Sequence, residues 1–524
     1  RVRSEHTLMD IKTSTTAKQR YEKLSADRFH FLDRARDCSE LTIPSLIPDE
    51  SFSESSELYT PFQSVGARGV NNLASKLLLL LLPPNSPFFR FSISGKAKEE
   101  LDQQKEAKAS VEEALGKMER EISHKIERLA LRVSTFEALK HLIVAGNVLA
   151  YLPKEGNMRV YPLTQYVCTR DSSGTLLEIV IKENISPLSL DDDTRVELEG
   201  QYKDDESLDI FTHIYKLPDK KYYVCQEIKG VKLQNSIGTY TENNFPYMAL
   251  RMIRVDNEDY GRSYVEEFLG DLKSLEGLSQ SLVESAAASS KVVFMVKPNS
   301  VTRKSDLAQT RNGDIITGTR EDVTCLQSEK QYDLQIVERS ISKLEERLAF
   351  AFLLHTAIQR EAERVTAQEI RYMAQQLETS MGGVYSLLSQ EFQLPLVNVL
   401  MKRMQQAKEI PTLPKGSVEP VIVTGIEALG RGNDLQKLRE FVMEIMNVAQ
   451  VNPQIAQALN TQDLVTRIAT GLGIDVEGLI KTQDQLQAEQ EAAMAQQQEA
   501  MVTEKAMDVV APAAAEAVKN DVAE

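Results

Sequence analysis

Six consecutive leucines, Leu77–Leu82, run into Pro83 and Pro84. This stretch decides whether the chain is built for a bilayer or for water. A membrane-spanning helix needs about 20 mostly apolar residues, and the run has six. The preceding "PFQSVGARGVNNLASK" carries Arg68, Asn71, Asn72 and Lys76, each costly in hydrocarbon. The run is too far along the sequence to read as a secretory signal. The expectation is a soluble chain in which the leucines end a buried helix. Leucine at six successive positions covers every side of a helix, so protein has to surround it. Thr60-Pro61 reads as the N-cap and first helical residue. Val65, Val70, Leu73, Leu77, Leu78 and Leu81 then line one side, and the prolines stop the helix. On this reading Leu78→Asp is strongly destabilising.

The chain has 61 basic and 77 acidic residues, a net charge of −16. That excludes a broad basic footprint for duplex binding, so any contact with nucleic acid is local or weak. The four cysteines, Cys38, Cys168, Cys225 and Cys325, form no CxxC and fit a reducing compartment. The sequence begins at Arg1, and at least an initiator methionine is expected ahead of it.

The periodicity predicts a helix through Tyr21, Leu24, Phe31 and Ala35, then a Pro- and Ser-rich loop. A charged amphipathic helix spans about 97–130, and 134–153 reads as helix running into strand. Residues 150–255 break into β-branched and aromatic runs separated by Gly, Asp and Asn, a pattern of antiparallel strands. From Asp259, Tyr264, Phe268, Leu272, Leu275, Leu278 and Leu282 mark a long helix. A short β-like insert follows at 291–328. A returning helix carries Leu334, Val337, Ile341, Leu344, Leu348 and Phe352. "QREAER" (359–364) is fully polar. Thr366 and Glu369 form a capping-box pattern ahead of a helix with Ile370, Met373, Leu377, Met381, Val384 and Leu388. Gly382-Gly383 and Pro395 predict a kink in it. Residues 411–425 read as loop and strand, 427–480 as helical, and the tail from about 483 as Gln/Ala-rich. The fold class is α+β and helix-rich.

No enzyme signature rises above noise. Walker A, GxGxxG, HExxH and GxSxG patterns are absent. The histidines (His6, His30, His124, His141, His213 and His355) are scattered without ligand spacing. The acidic clusters Asp191–Asp193 and Asp256, Glu258 and Asp259 read as solvated turns rather than cation sites. Lys297, Arg303, Lys304 and Arg311, against Asp306 and Asp314, make the 291–328 insert locally positive. The expectation is a structural protein with no catalytic residue, cofactor or metal. Another reading is a nuclease using the acidic clusters.

Five stretches carry a resemblance: "VGARGVNNLASKLLLLLLPP", "STFEALKHLIVAGNVLAYLP", "DYGRSYVEEFLGDLKSLEGL", "ERVTAQEIRYMAQQLETSMGGVYSLLSQEFQLPLV" and "TGIEALGRGNDLQKL". In this order they closely resemble the portal (head-to-tail connector) family of short-tailed, podovirus-type bacteriophages, from about residue 17 to 480. The resemblance implies a wing (1–258), stem helix 1 (259–290), a β-containing clip (291–328) and stem helix 2 (329–358). A tunnel loop (359–366), a kinked wing helix and strand (367–426), a helical crown (427–482) and a tail (483–524, barrel or disordered) follow. It further implies a dodecameric ring at one capsid vertex of the virion, assembled in the host cytoplasm. That ring is the conduit for double-stranded DNA in packaging and ejection; the alternative is another virion ring or tail adaptor component. The implied partners are terminase, then tail adaptor proteins, with the major capsid and scaffolding proteins, and no membrane. Lys343, Arg347, Gln359, Arg360, Glu363 and Arg364 are the expected channel and tunnel-loop residues. Lys297, Arg303, Lys304 and Arg311 are the expected clip docking surface.

Overall fold

The leucine run does end a helix, but that helix starts later than Thr60-Pro61 suggests. The computed structural model describes residues 15–49, 52, 55–84, 88–93, 105–198, 202–203, 206–289, 293–326, 331–354, 383–411, 418–422 and 443. The chain divides into two units, Arg1–Ala428 and Leu429–Glu524. Except for Met443, the described residues lie in the first unit. The expected crown and tail, the tunnel loop, the Thr366 capping box and Ile370–Met381 therefore lie outside the described residues.

Helix α1 (Ala17–Glu40) opens on a capping box between Thr16 and Gln19. Helix α2 (Val65–Leu81) is the leucine helix. Residues 59–63 stay out of it because Glu276 holds them. Its carboxylate accepts the Tyr59 hydroxyl at 2.6 Å and the Phe62 N–H at 2.8 Å. Gln63 then performs the capping expected of Thr60. Its Oε1 accepts the Gly66 N–H at 2.9 Å, and its Nε2 donates to the Leu41 carbonyl at 2.7 Å. Leu77, Leu80, Leu81 and Leu82 are buried, while Leu78 and Leu79 are only half-buried. The last carbonyls of a helix need outside donors. Here Gln393 Nε2 donates to Leu81 O and Arg132 Nη1 to Leu82 O, both at 2.8 Å.

Strand β1 (Phe89–Ile93) and helices α3 (Lys105–Arg128) and α4 (Leu131–Ala145) come next. Gly146, at φ +73°, closes α4 in the left-handed region, and a Cβ there would lie 2.5 Å from the Arg262 backbone. The β region follows: β2 (Asn147–Tyr151), β3 (Arg159–Pro162), β4 (Tyr166–Arg170), β5 (Leu176–Ile185), helix α5 (Asp192–Glu197), β6 (Leu208–Lys216), β7 (Lys221–Ile228), β8 (Val231–Thr241) and β9 (Tyr247–Arg251). These strands form an antiparallel three-stranded sheet, β3-β2-β9, and an antiparallel meander, β4-β5-β6-β7-β8. The antiparallel reading of 150–255 holds. Strand β8 carries the weakest apolar signal of the region, because only Leu233 among its side chains is buried. Helix α1 packs Tyr21 and Leu24 against Val167, Val180 and Phe211 of the meander. Beside them, Arg20 grips Glu178 through Nε at 3.0 Å and Nη2 at 2.7 Å.

The long hairpin starts with a 3₁₀ turn (Val265–Phe268) and helix α6 (Leu269–Ser289), ten residues beyond the expected start at Asp259. Residues 253–262 are drawn instead into a bridge, Ile253 to Arg262. Strand β10 (Val293–Val296), helix α7 (Lys304–Gln309) and strand β11 (Val323–Leu326) form the tip, with β10 and β11 antiparallel. Helix α8 (Gln331–Ala351) returns. Its Arg347, near its end, pairs with Asp271 near the start of α6, so the two helices run antiparallel.

Gly383, at φ +87°, opens helix α9 (Val384–Leu388). A π turn (Ser389–Gln393) leads into α10 (Leu394–Gln406). A π turn thus stands where the kink is expected, and Pro395 follows it as the second residue of α10. The extra residue of the π turn lets Glu391 reach Arg251 and Gln393 reach Leu81. Strand β12 (Val418–Ile422) pairs antiparallel with β1. One apolar core joins the leucines of α2 to Leu139, Leu142 and Ile143 of α4, Leu272 and Leu275 of α6, Phe352, and Leu396 and Leu400 of α10.

Candidate functional site

The candidate catalytic residues sit in structural surroundings among the described residues. No group of three or more His, Cys, Asp or Glu side chains there could hold a metal ion. The two acidic clusters have structural work instead. Asp191 caps α5 by accepting the Thr194 N–H at 3.1 Å. Asp256 pairs with Arg254, Glu258 with Arg262, and Asp259 accepts the Arg170 N–H at 2.5 Å. Burial pushes the Cys38 thiol up to about 12 and the Cys168 thiol up to about 11, so neither is a nucleophile at neutral pH. His213 is buried against Glu178 at 2.7 Å. His141 is buried, and desolvation lowers its pKa to about 4, so it stays neutral.

What remains is the hairpin and its tip. Lys343 and Arg347 are both exposed on α8. They differ in availability, because Arg347 Nε donates to Asp271 Oδ2 at 3.1 Å and ties α8 to α6. Lys343 makes no ion pair among the described residues. Arg339, one turn below at i−4, is also exposed and joins the same ladder of cations. It was missed because a lone arginine on a mixed-charge helix has no sequence signal. Gln359, Arg360, Glu363 and Arg364 lie outside the described residues.

At the tip, Lys297, Arg303, Lys304 and Arg311 are all exposed. Asp322 organises the base of this loop. It accepts the Thr302 hydroxyl at 3.1 Å and the Thr319 N–H at 3.2 Å. Those Thr319 contacts, more than the nearby Lys297, hold its carboxyl below the usual range. Gly313, at φ +97°, makes the turn beside Asp314, whose carboxylate accepts the Arg311 N–H at 2.7 Å. The tip is less basic than four cations suggest. Residues 293–326 contain five basic and four acidic side chains, a net charge of only +1. The stronger feature is apolar: Phe294 is 60% exposed, Val301 68% and Ile315 99%. The tip thus presents basic and apolar side chains together on a short two-stranded base.

Among the described residues, no helix is long and apolar enough to cross a membrane. The family model for bacteriophage head to tail connecting protein matches residues 14–480. The chain is 46% identical to the portal protein of Escherichia phage T7 over 482 residues, covering 90% of this chain and 89% of that protein. It is 45% identical to the portal protein of Enterobacteria phage T3, with the same coverage. To the portal protein of Enterobacteria phage SP6 it is 31% identical over 490 residues, covering 92% of this chain and 93% of that protein. A match of this extent takes in the leucine helix, both sheets, the hairpin and the π turn, and the chain belongs to the family of bacteriophage head to tail connecting proteins.

Proposed function

We propose that the chain is the subunit of a twelve-membered ring at one capsid vertex, acting as a structural conduit for double-stranded DNA. Residues 1–258 with 367–426 form its wing, 259–290 and 329–358 its stem, 291–328 its clip, 359–366 its tunnel loop and 427–482 its crown. The observation that carries this reading is the antiparallel pair α6 and α8 bracketing a small two-stranded module in a chain of this family. The net charge of −16 per subunit suits a channel that must let phosphates slide rather than hold them. Negative-stain imaging of the purified chain tests it. Rings of about twelve subunits with a central hole are expected, and a monomer or compact dimer overturns the reading.

Arg339 and Lys343, with Arg347, Arg360 and Arg364, supply the few positive charges that centre the duplex, and the tunnel-loop segment Gln359 to Arg364, with Glu363, touches or gates it. The double change Arg339→Ala and Lys343→Ala is expected to preserve rings and to alter packaging or genome retention. Unchanged packaging and retention remove these two residues from the channel.

The clip docks terminase during packaging and the tail adaptor afterwards, with Lys297, Arg303, Lys304 and Arg311 around Phe294 and Ile315. The wing faces the major capsid and scaffolding proteins. Reversing the four clip charges is expected to weaken adaptor pull-down at low salt, and replacing Phe294 and Ile315 by serine to weaken it at any salt. Undiminished capture by both variants excludes this surface.

A further inference from the structure

We infer that α2 is the joint between stem and wing, and that Asn72 and Lys76 are its positioning residues. This rests on the reading of α6 and α8 as the stem. Helix α8 ends at Ala351 inside the apolar core, where Leu348 and Phe352 are fully buried. The carbonyls of such an end have no water to turn to. Three side chains meet them instead. The Tyr264 hydroxyl donates to Ala351 O at 2.9 Å. Asn72 Nδ2 donates to Phe352 O at 2.9 Å and Leu353 O at 3.1 Å. Lys76 Nζ donates to Leu353 O at 2.7 Å. Leu353 itself sits at φ +56°, a left-handed conformation that a leucine adopts only when its surroundings impose it.

Gly69 completes the seat. A Cβ there would lie 2.5 Å from the Phe352 ring, so only glycine lets α2 approach this closely. Gly69, Asn72 and Lys76 are spaced i, i+3 and i+7, which is one face of a helix. The Lys76 ammonium, 7% exposed, lies at the negative end of the α8 dipole, where a cation is favoured. At the other end of α2, Glu276 of α6 holds residues 59–63. Helix α2 and the segment that leads into it thus take hold of both stem helices through polar contacts. They fix the direction in which the chain leaves the stem at Leu354.

Residue-resolved hydrogen exchange on the full chain tests this. The amides of Phe352, Leu353 and Leu354 donate to Leu348, Phe350 and Ala349 carbonyls and report on the joint. In the double variant Asn72→Ala and Lys76→Met these three are expected to exchange about tenfold faster, while amides of β5, β6 and β7 keep their rates. The single variant Asn72→Ala, which keeps the Lys76 ammonium on Leu353 O, carries the same test with a smaller effect should the double variant not fold. Unchanged rates at the three amides, or an equal rise throughout the chain, overturn the inference. Imaging the unsubstituted chain separates the two readings. Absence of rings there would sink the stem assignment while leaving the exchange result to judge the joint.

Discussion

Leu81→Asp is expected to leave no ring and no cooperative thermal transition. Leu81 is completely buried, on the side of α2 that meets the other leucines and the helices of the wing. Truncation of such a leucine to alanine costs about 3–5 kcal/mol, through lost transfer energy and the cavity left behind. A carboxylate adds the cost of burying a polar group with no donor prepared for it. Stability of a folded domain is commonly only about 5–15 kcal/mol, so the combined loss empties the native state. Leu78→Asp, the change suggested by the sequence, is expected to be milder, because Leu78 is half-buried and a carboxylate there can reach water. Soluble yield and differential scanning calorimetry of the two variants provide the check. Equal losses at positions 78 and 81 would contradict the packing described.

The contrast between those two leucines shows where reading the sequence stops. Six leucines in a row announce a buried helix end, but they carry no phase, since every face is equally apolar. Which leucines are deepest depends on what α4 and α10 bring to them. The start of α2 shows the same limit. Thr60-Pro61 satisfies local capping rules, yet Glu276, more than 200 residues later, takes the backbone of 62 and 63 for itself. Elements with strong periodicity, such as α1, α4, α6 and α8, and strands with alternating apolar residues, such as β5 to β7, were legible. Strand β8 was less so, because it is held by its ladder with β7 and buries little of its own. The clip cations were legible as residues, but not their dilution by Glu321 and Asp322, nor the exposure of Phe294 and Ile315 beside them.

The π turn makes the second large prediction, and it concerns a pair that no local pattern connects. Arg251 ends β9, and Glu391 lies in the π turn 140 residues later. The Glu391 carboxylate accepts the Arg251 backbone N–H at 2.9 Å and its Nε at 2.9 Å. The arginine side chain is 3% exposed and the glutamate 14%. Arg170 Nη1 lies 4.0 Å from the same carboxylate, so removing Glu391 strands buried arginine charge, at a cost of about 3–5 kcal/mol, whereas removing Arg251 leaves Glu391 a partner. Glu391→Leu is therefore expected to lower the unfolding free energy by that amount, and Arg251→Met by less, read from denaturant midpoints. Combining them removes the stranded Arg251 charge, so the double variant is expected to be more stable than the sum of the two losses. It will not return to the starting stability, because the Arg251 N–H on the edge strand β9 loses its acceptor, worth about 1–3 kcal/mol. The π turn has the same dependence. An ordinary α-helical path through 389–393 would rotate the following residues by roughly a quarter of a turn and carry Gln393 away from Leu81 O. Loss of Glu391 is thus expected to loosen the cap on the leucine helix as well, seen as faster exchange of the amides at its C-terminal end. A cost under about 1 kcal/mol for Glu391→Leu, or strictly additive losses in the pair, would show that the π turn is held by packing alone.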